Sequence, residues 1–386
     1  MDFAPAGAPA CPRVRAADGE PEGRVARKVL DVVTRKLNWD KICVMVVDDN
    51  TFMRNLLANT IKTFGIENTV GEPDCATAIK RLKLSKTDPI AAGIGTVDLI
   101  ISDYLMDGVD GNLFLHWIRT NRDVPDRFVP FIMVSGAADQ FVVEQARDTG
   151  VTEFMAKPFS ARSVADRILA VVNTPRQYVL APGYFGPDRR RADFGTSEER
   201  RKTQESEIQI VKPESNVRTL REDARAIYFR PNNRIREKLG PAAREPVHFD
   251  PLIIDAAQER IQRLVGDYSD WAKRYITSMA DSLSSLEIGG WPEDGNAKHI
   301  ASINRIAHEL RGQSGTFDYH LITSFSKSLY QATMDTEMKI TEDRLKLIEA
   351  HIDAIRNVFR NRITGDGGQV GKALLREIEN AAQRHK

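Results

Sequence analysis

Cysteine is scarce: the 386 residues include only Cys11, Cys43 and Cys75. An odd number without metal-ligand spacing argues against a disulfide framework and is typical of a reducing compartment, so we expect a cytoplasmic protein. Charge of one sign is also missing, because 55 Lys and Arg residues nearly cancel 54 Asp and Glu residues. No overall field therefore marks the chain as a binder of nucleic acids or of membrane surfaces.

Long hydrophobic runs are absent as well. No uncharged apolar run approaches the roughly 20 residues that a membrane-spanning helix needs. The first residues are rich in Pro, Ala and Gly and lack the apolar stretch of a signal peptide. We therefore expect no membrane partner, and we predict that residues 1–40 form a disordered arm with one short helix near Val25–Leu37.

Short apolar runs alternate with helical periodicity over residues 41–174. The longest of these runs are apolar throughout, which is typical of strands buried on both faces of a parallel sheet. Strands are predicted at Ile42–Val47, near Thr69, and at Val97–Ser102, Phe131–Val134 and Glu153–Ala156. The prediction is an α/β doubly wound (βα)5 domain whose chemistry lies at the carboxyl ends of the strands.

The rest of the chain divides into a polar segment and a helical one. Residues 175–249, with scattered Pro and Gly and an Arg-rich stretch at Arg189–Arg191, predict a flexible, largely disordered linker. Residues 250–365 show helical periodicity without strand signals, which predicts an all-α helical bundle, followed by a tail helix over residues 366–386. The Arg-rich stretch lacks interleaved aromatics and the bundle lacks a basic recognition helix, so nucleic acid is not an expected partner.

Polar residues follow four of the predicted strands, at the same edge of the sheet. They are Asp48 and Asp49, Asp103, Ser135 and Lys157. Taken singly, an acidic pair after a strand is usually a turn or a helix N-cap. Their coincidence on four strands instead indicates a functional site. Three converging carboxylates repel one another unless a divalent cation neutralises them, and Mg²⁺ prefers such oxygen ligands.

Four stretches of sequence resemble the receiver (response-regulator) family, especially its chemotaxis-type members. They are VMVVDDNTFMRNLL, DLIISDYLMDGVDG, IMVSGAAD and EFMAKPF, within residues 42–173. The resemblance implies that Asp103 accepts a phosphoryl group and that Asp49 and Asp103 bind Mg²⁺. It also implies that Asp48 supports the metal through water and that the backbone carbonyl of Leu105 completes the protein ligands.

The same resemblance assigns roles to the remaining positions. Lys157, followed by Pro158 in a cis peptide, would pair with the phosphoryl oxygens, and Ser135 would donate its hydroxyl to them. Phe154 stands at the place of the family's switch aromatic. One departure is Asp107, which replaces the proline that the family usually has four residues after the acceptor. The family implies a histidine kinase or a phosphotransfer protein as donor, and no stand-alone enzyme activity.

His308 is the candidate phosphate carrier of the helical half. On a helix from Lys298 to Phe317 it points away from the apolar stripe, which predicts an exposed imidazole. By spacing alone this is most simply an ordinary surface histidine. However, AHELRGQSGTFDYHLIT resembles the histidine-phosphotransfer (HPt) motif, in which a basic residue and a glycine follow the histidine as Arg311 and Gly312 do here. The resemblance implies that His308 carries phosphate, although Asp318 stands where that family commonly has glycine.

These features predict a two-component phosphorelay protein. The receiver would take a phosphoryl group on Asp103 from a phosphohistidine donor with Mg²⁺, and an HPt-like domain would exchange it through His308. A flexible connection of roughly 75 residues spans about 50 Å, so the two residues could meet within one molecule. Alternatively, the helical bundle is a non-phosphorylated interaction or dimerisation domain of a receiver-switched adaptor. In either case a downstream signalling protein is the expected partner.

Overall fold

Two β-sheets and a helical region make up the part of the chain that the structure describes. The computed structural model describes residues 37–106, 108–136, 140–189, 208–209, 226–289, 295–335 and 339–369, together with residues 371, 373, 375 and 376. Most of the predicted N-terminal arm, Asp107, and most of the predicted tail helix therefore lie outside the described residues.

The first sheet has five parallel strands in the order β2-β1-β3-β4-β5. Its strands are β1 (Val44–Val47), β2 (Thr69–Glu72), β3 (Leu99–Asp103), β4 (Phe131–Ser135) and β5 (Glu153–Ala156). Its helices are α1 (Thr51–Thr63), α2 (Cys75–Thr87), α3 (Pro89–Ala92), α4 (Gly111–Thr120), α5 (Gln140–Thr149) and α6 (Ala161–Asn173). The predicted doubly wound (βα)5 domain is confirmed.

Local sequence explains where the helices of this domain begin. The side chain of Asn50 accepts hydrogen bonds from the backbone N–H groups of Phe52 and Met53, and Asp110 caps α4 by accepting from Leu113. These N-caps satisfy backbone donors that the first turn of a helix leaves unpaired. Helix α1 therefore begins immediately after Asp48 and Asp49, which holds both carboxylates at the carboxyl end of β1.

The segment predicted to be a flexible linker is folded wherever the structure describes it. Residues 178–187 form the antiparallel pair β6 (Tyr178–Ala181) and β7 (Tyr184–Pro187). Strands β8 (Ile208–Gln209) and β9 (Ile227–Phe229) complete a four-stranded sheet, and α7 (Arg234–Leu239) follows. The prediction of disorder is wrong for these residues, and Phe185, Phe229 and Leu239 are buried.

We define residues 251–360 as the helical region, and its described residues form five α-helices. They are α8 (Pro251–Arg263), α9 (Val265–Ser284), α10 (Asn296–Gln313), α11 (His320–Ala332) and α12 (Glu342–Arg360). A single helix was expected from Ile253 to Leu286, but the chain turns at Leu264 and divides it into α8 and α9. Among the described residues, no helix combines the length and the apolar character that crossing a membrane requires.

The hydrophobic core of the first sheet continues into the helical region. Residues from one face of the sheet, such as Val46 and Ile132, belong to the same buried cluster as Ala257, Tyr268 and many side chains of α9 to α12. Trp39, which was assigned to the disordered arm, is also buried in this cluster and stacks on Phe249 at 4.9 Å between ring centroids. The arm therefore ends before residue 40, and the two halves of the chain are packed together.

Candidate functional site

Three carboxylates meet at the carboxyl ends of β1 and β3. Ligand oxygens of Asp48, Asp49 and Asp103 all lie within 4.8 Å of one another. Asp48 and Asp103 are nearly fully buried, and the backbone N–H of Asn50 donates to Asp48 at 2.9 Å. The structure thus brings together the aspartate pair after β1 and the aspartate that ends β3.

Lys157 supplies the positive charge of this cluster. Its Nζ lies 2.7 Å from Oδ2 of Asp103 and 3.3 Å from Oδ2 of Asp48, and all three side chains are less than a tenth exposed. Burial by itself would lower the pKa of Lys157, but the two carboxylates outweigh that effect and hold it well above its ordinary value. The lysine is therefore charged at neutral pH and fixed beside Asp103.

The carboxyl of Asp103 is strongly perturbed. Burial raises its pKa to about 7, and the nearby Asp48 and Asp49 add to this rise, whereas Lys157 opposes it. At Asp103, burial and the two neighbouring carboxylates thus outweigh the one ammonium group, so positive charge is deficient there. A hard divalent cation with oxygen ligands would supply the missing charge, so the donor set fits Mg²⁺. Asp48, Asp49 and Asp103 would hold it.

The other predicted site residues lie around the same edge of the sheet. Ser135 ends β4, is fully buried, and its carbonyl accepts the backbone N–H of Lys157 at 2.7 Å. The Lys157–Pro158 peptide bond is cis, as predicted. Leu105 lies two residues beyond Asp103 in the β3–α4 loop, and Phe154 of β5 is half-buried against the core of the sheet.

His308 was predicted to be exposed, and that prediction is wrong. The imidazole is 6% exposed because α10 packs on the carboxyl edge of the sheet. A Cβ atom placed on Gly136, directly after Ser135, would lie 3.6 Å from Nε2 of His308. Helical periodicity located the side of α10 that carries His308 but could not show that another part of the chain covers it.

Arg311 and Gly312 join His308 at this contact. The guanidinium of Arg311 donates two hydrogen bonds to the carbonyl of Gly136, at 3.1 and 2.8 Å. Gly312 faces both Gly136 and the aliphatic stem of Lys157. The HPt-like motif therefore contains residues that lie beside the aspartate site. The contact between the two halves of the chain that brings them there was not predicted.

Glu309 is the residue at this site that the sequence reasoning missed. It is 5% exposed and accepts a hydrogen bond from the side-chain amide of Gln313. Burial raises its pKa to about 8; Lys157 opposes the rise, and Asp103, Asp48 and Asp49 add to it. Glu309 follows His308 on the side of α10 that was predicted to face solvent. The sequence gives no signal of its burial, because the surface that covers it belongs to the other half of the chain.

Known proteins match about a third of the chain, within its first half. Residues 44–169 match the family model of the response regulator receiver domain. The chemotaxis protein CheY-3 of Vibrio cholerae is 26% identical over 125 residues, which cover 32% of this chain and 87% of the relative. A probable chemotaxis protein CheY of Rhizobium etli is 29% identical over 132 residues, which cover 34% of this chain and 93% of the relative.

A solved structure is also similar to this part of the chain. The chemotaxis protein CheY4 of Vibrio cholerae is 23% identical and covers 34% of this chain and 98% of that chain, with a TM-score of 0.29. The family match and the parallel five-stranded sheet together identify residues 44–169 as a receiver domain of two-component signalling. The matches that we describe lie in the receiver part of the chain.

Proposed function

We propose that the chain is a two-component signalling protein whose receiver takes a phosphoryl group on Asp103. The observation that carries this proposal is the grouping of three aspartates within 4.8 Å, with the Lys157 ammonium 2.7 Å from Asp103. In this role the protein acts as a switch and not as a stand-alone enzyme. The chemotaxis relatives support a signalling role, and a histidine kinase or another phosphohistidine protein is the proposed donor.

Transfer of the phosphoryl group requires little covalent participation by the protein beyond Asp103 itself. A carboxylate oxygen of Asp103 attacks the phosphorus, and the bond from phosphorus to the donor imidazole nitrogen breaks, its electron pair remaining on that nitrogen. Lys157 lies where it can pair with the carboxylate of Asp103 before the transfer and with the phosphoryl oxygens after it. Asp48, Asp49 and Asp103 would hold Mg²⁺, which would supply positive charge to the phosphoryl oxygens. Ser135 is proposed to donate its hydroxyl to the phosphoryl group.

Phosphate-affinity electrophoresis with acetyl phosphate and Mg²⁺ tests the assignment. Wild type should form an acid-stable, base-labile phosphorylated band, and Asp103→Asn should not. Asp166→Asn, which changes an exposed aspartate on α6, is the matched control and should behave like wild type. Phosphorylation of Asp103→Asn at the wild-type level would show that the acceptor lies elsewhere.

Exchange of the phosphoryl group through His308 is a second candidate function. It is supported by the position of His308 Nε2 against Gly136, at the edge of the aspartate site. Nothing in the family matches speaks for an HPt domain, so this part of the proposal depends on geometry and on the short motif. The rival is an adaptor in which the helical region binds partners without carrying phosphate.

Substituting His308 by Gln separates these two roles. In a relay, labelled phosphate loaded on the receiver would leave it more slowly in His308→Gln, and acid-labile label on the helical region would disappear. His299→Gln, on the same helix, controls for the loss of an imidazole. Unchanged decay in His308→Gln would reject the relay and leave the adaptor.

A further inference from the structure

Helix α10 closes on the edge of the receiver that carries Asp103. Gly136 and Gly312 meet backbone to backbone: a Cβ on Gly312 would lie 3.0 Å from the Cα of Gly136, and a Cβ on Gly136 would lie 2.9 Å from the Cα of Gly312. Gly315 approaches the ring of Pro158 in the same way, with 2.7 Å from its would-be Cβ to Cγ of the proline. Such close approach is available only to residues without a side chain.

Polar contacts hold the same surface. Arg311 binds the carbonyl of Gly136 with two N–H groups. On the opposite side of the site, the amide of Asn50 donates to the hydroxyl of Tyr275 at 3.4 Å, and Phe52 stacks against Trp271. The helical region therefore contacts the chain after β1, after β4 and after β5, which are three of the four segments that build the aspartate site.

The consequence of this contact is loss of access to Asp103. Its side chain is 3% exposed, and those of Lys157 and Asp48 are 4% and 7% exposed. A phosphohistidine donor must approach the carboxylate in line with the bond that breaks, so it needs open space beside these loops. The helical region occupies that space.

We infer that the helical region is a binding module for the phosphorylation face of its own receiver, and that its docking keeps Asp103 closed to donors. The inference rests on the proposed function of Asp103. Because docking and phosphorylation use the same loops, they are reciprocally coupled: whatever weakens docking speeds phosphorylation, and a phosphorylated Asp103 favours release of α10. Release would expose the face of α10 that carries His308, Glu309 and Arg311.

Gly312→Ala tests this inference with one methyl group. The new Cβ would meet backbone atoms of Gly136, which cannot rotate away, whereas alanine inside a helix is intrinsically more favourable than glycine. We expect the variant to keep its helix content but to undock. Phosphorylation by acetyl phosphate should become about fivefold faster or more, because its rate follows the fraction of receiver that is undocked. Gly95→Ala is the matched control, since its Cβ would meet nothing within 4 Å.

A second readout does not depend on phosphorylation. Amide hydrogen exchange in unphosphorylated protein should accelerate over residues 303–313 in Gly312→Ala and stay unchanged in Gly95→Ala. Arg311→Gln, with Arg274→Gln on the exposed side of α9 as its control, repeats the test without a steric clash. Wild-type exchange together with wild-type phosphorylation rates in both Gly312→Ala and Arg311→Gln would overturn the inference. If no variant, wild type included, is phosphorylated, the proposed function fails while hydrogen exchange still decides whether α10 docks.

Discussion

The receiver and the helical region differ in how the carboxyl groups that they bury are compensated by positive charge. Asp48 and Asp103 of the receiver have their counter-charge, Lys157, within the same domain. Glu309 of the helical region is also buried, but the positive charge that most lowers its pKa is Lys157 of the receiver. Asp48 and Asp103 therefore have their partner lysine within their own domain. The surface of α10 thus carries a buried carboxyl whose main compensating charge belongs to the receiver.

Hydrophobic packing shows the same asymmetry. One face of the receiver sheet packs against a cluster drawn from its own domain, including Met45, Phe114 and Phe131. The other face shares its buried cluster with the helical region. Tyr268 lies at the junction: it stacks on Phe317 at 4.2 Å between ring centroids and contacts Phe52 of the receiver at 6.0 Å. The receiver thus has one hydrophobic cluster of its own, whereas the helical region builds its core together with the other face of the sheet.

The largest effect is expected from Tyr268→Ala, which breaks the shared core. The side chain is fully buried and its hydroxyl bonds with that of Ser314 at 2.8 Å. Removing such an aromatic typically costs about 3–5 kcal/mol. Urea unfolding should show this loss and should resolve the two halves into separate transitions. Phe141→Ala, at a 72% exposed aromatic, should change stability by no more than about 0.5 kcal/mol.

Glu309→Gln tests the electrostatic part of this comparison, and its effect on the free energy of unfolding should depend on pH. A carboxyl whose pKa rises from 4.5 to about 8 on folding binds protons more tightly in the folded state. Its contribution to stability is present below pH 4.5 and is lost as pH rises through about 8. The variant should therefore gain stability relative to wild type between pH 6 and pH 9, by up to a few kcal/mol, since one pKa unit corresponds to about 1.4 kcal/mol.

Urea unfolding at pH 6 and pH 9, in the presence of EDTA, measures the difference in stability between Glu309→Gln and wild type. Gln keeps the size of the side chain and an oxygen to accept from Gln313. Glu259→Gln, at an exposed pair on α8, is the control and should track wild type at both pH values. A difference between Glu309→Gln and wild type that does not change from pH 6 to pH 9 would contradict burial of this carboxyl beside the receiver site.

Most of the receiver could be predicted from sequence because its signals are local. Apolar runs identified β1, β3 and β4, and polar residues at the ends of these strands located Asp48, Asp103 and Ser135. Topology then brings those residues together, since parallel strands end at one edge of the sheet. Locating Asp48, Asp103 and Ser135 therefore required no knowledge of the rest of the chain.

The helical region and the supposed linker could not be predicted to the same depth. Periodicity identifies the apolar stripe of α10, but burial of His308 and Glu309 depends on a surface far away in sequence. Residues 226–249 read as polar because a few anchors, such as Phe229, Leu239 and Phe249, are spaced among charged residues. A segment that adds its side chains to an existing core needs fewer apolar residues than one that builds its own.

Lys238→Met tests whether residues 226–249 are held to the receiver and should have the smallest effect of the three. Its Nζ lies 2.7 Å from Oδ2 of Asp98, a fully buried carboxylate that also accepts the backbone N–H of Cys43 at 2.9 Å. Removing the ammonium leaves that carboxylate without its salt bridge, at a cost of about 1–3 kcal/mol in urea unfolding. The exposed pair of Lys273 and Asp270 supplies the control, because Lys273→Met should cost less than about 0.5 kcal/mol. Equal, near-zero effects of the two substitutions would restore the flexible linker that the sequence alone predicts.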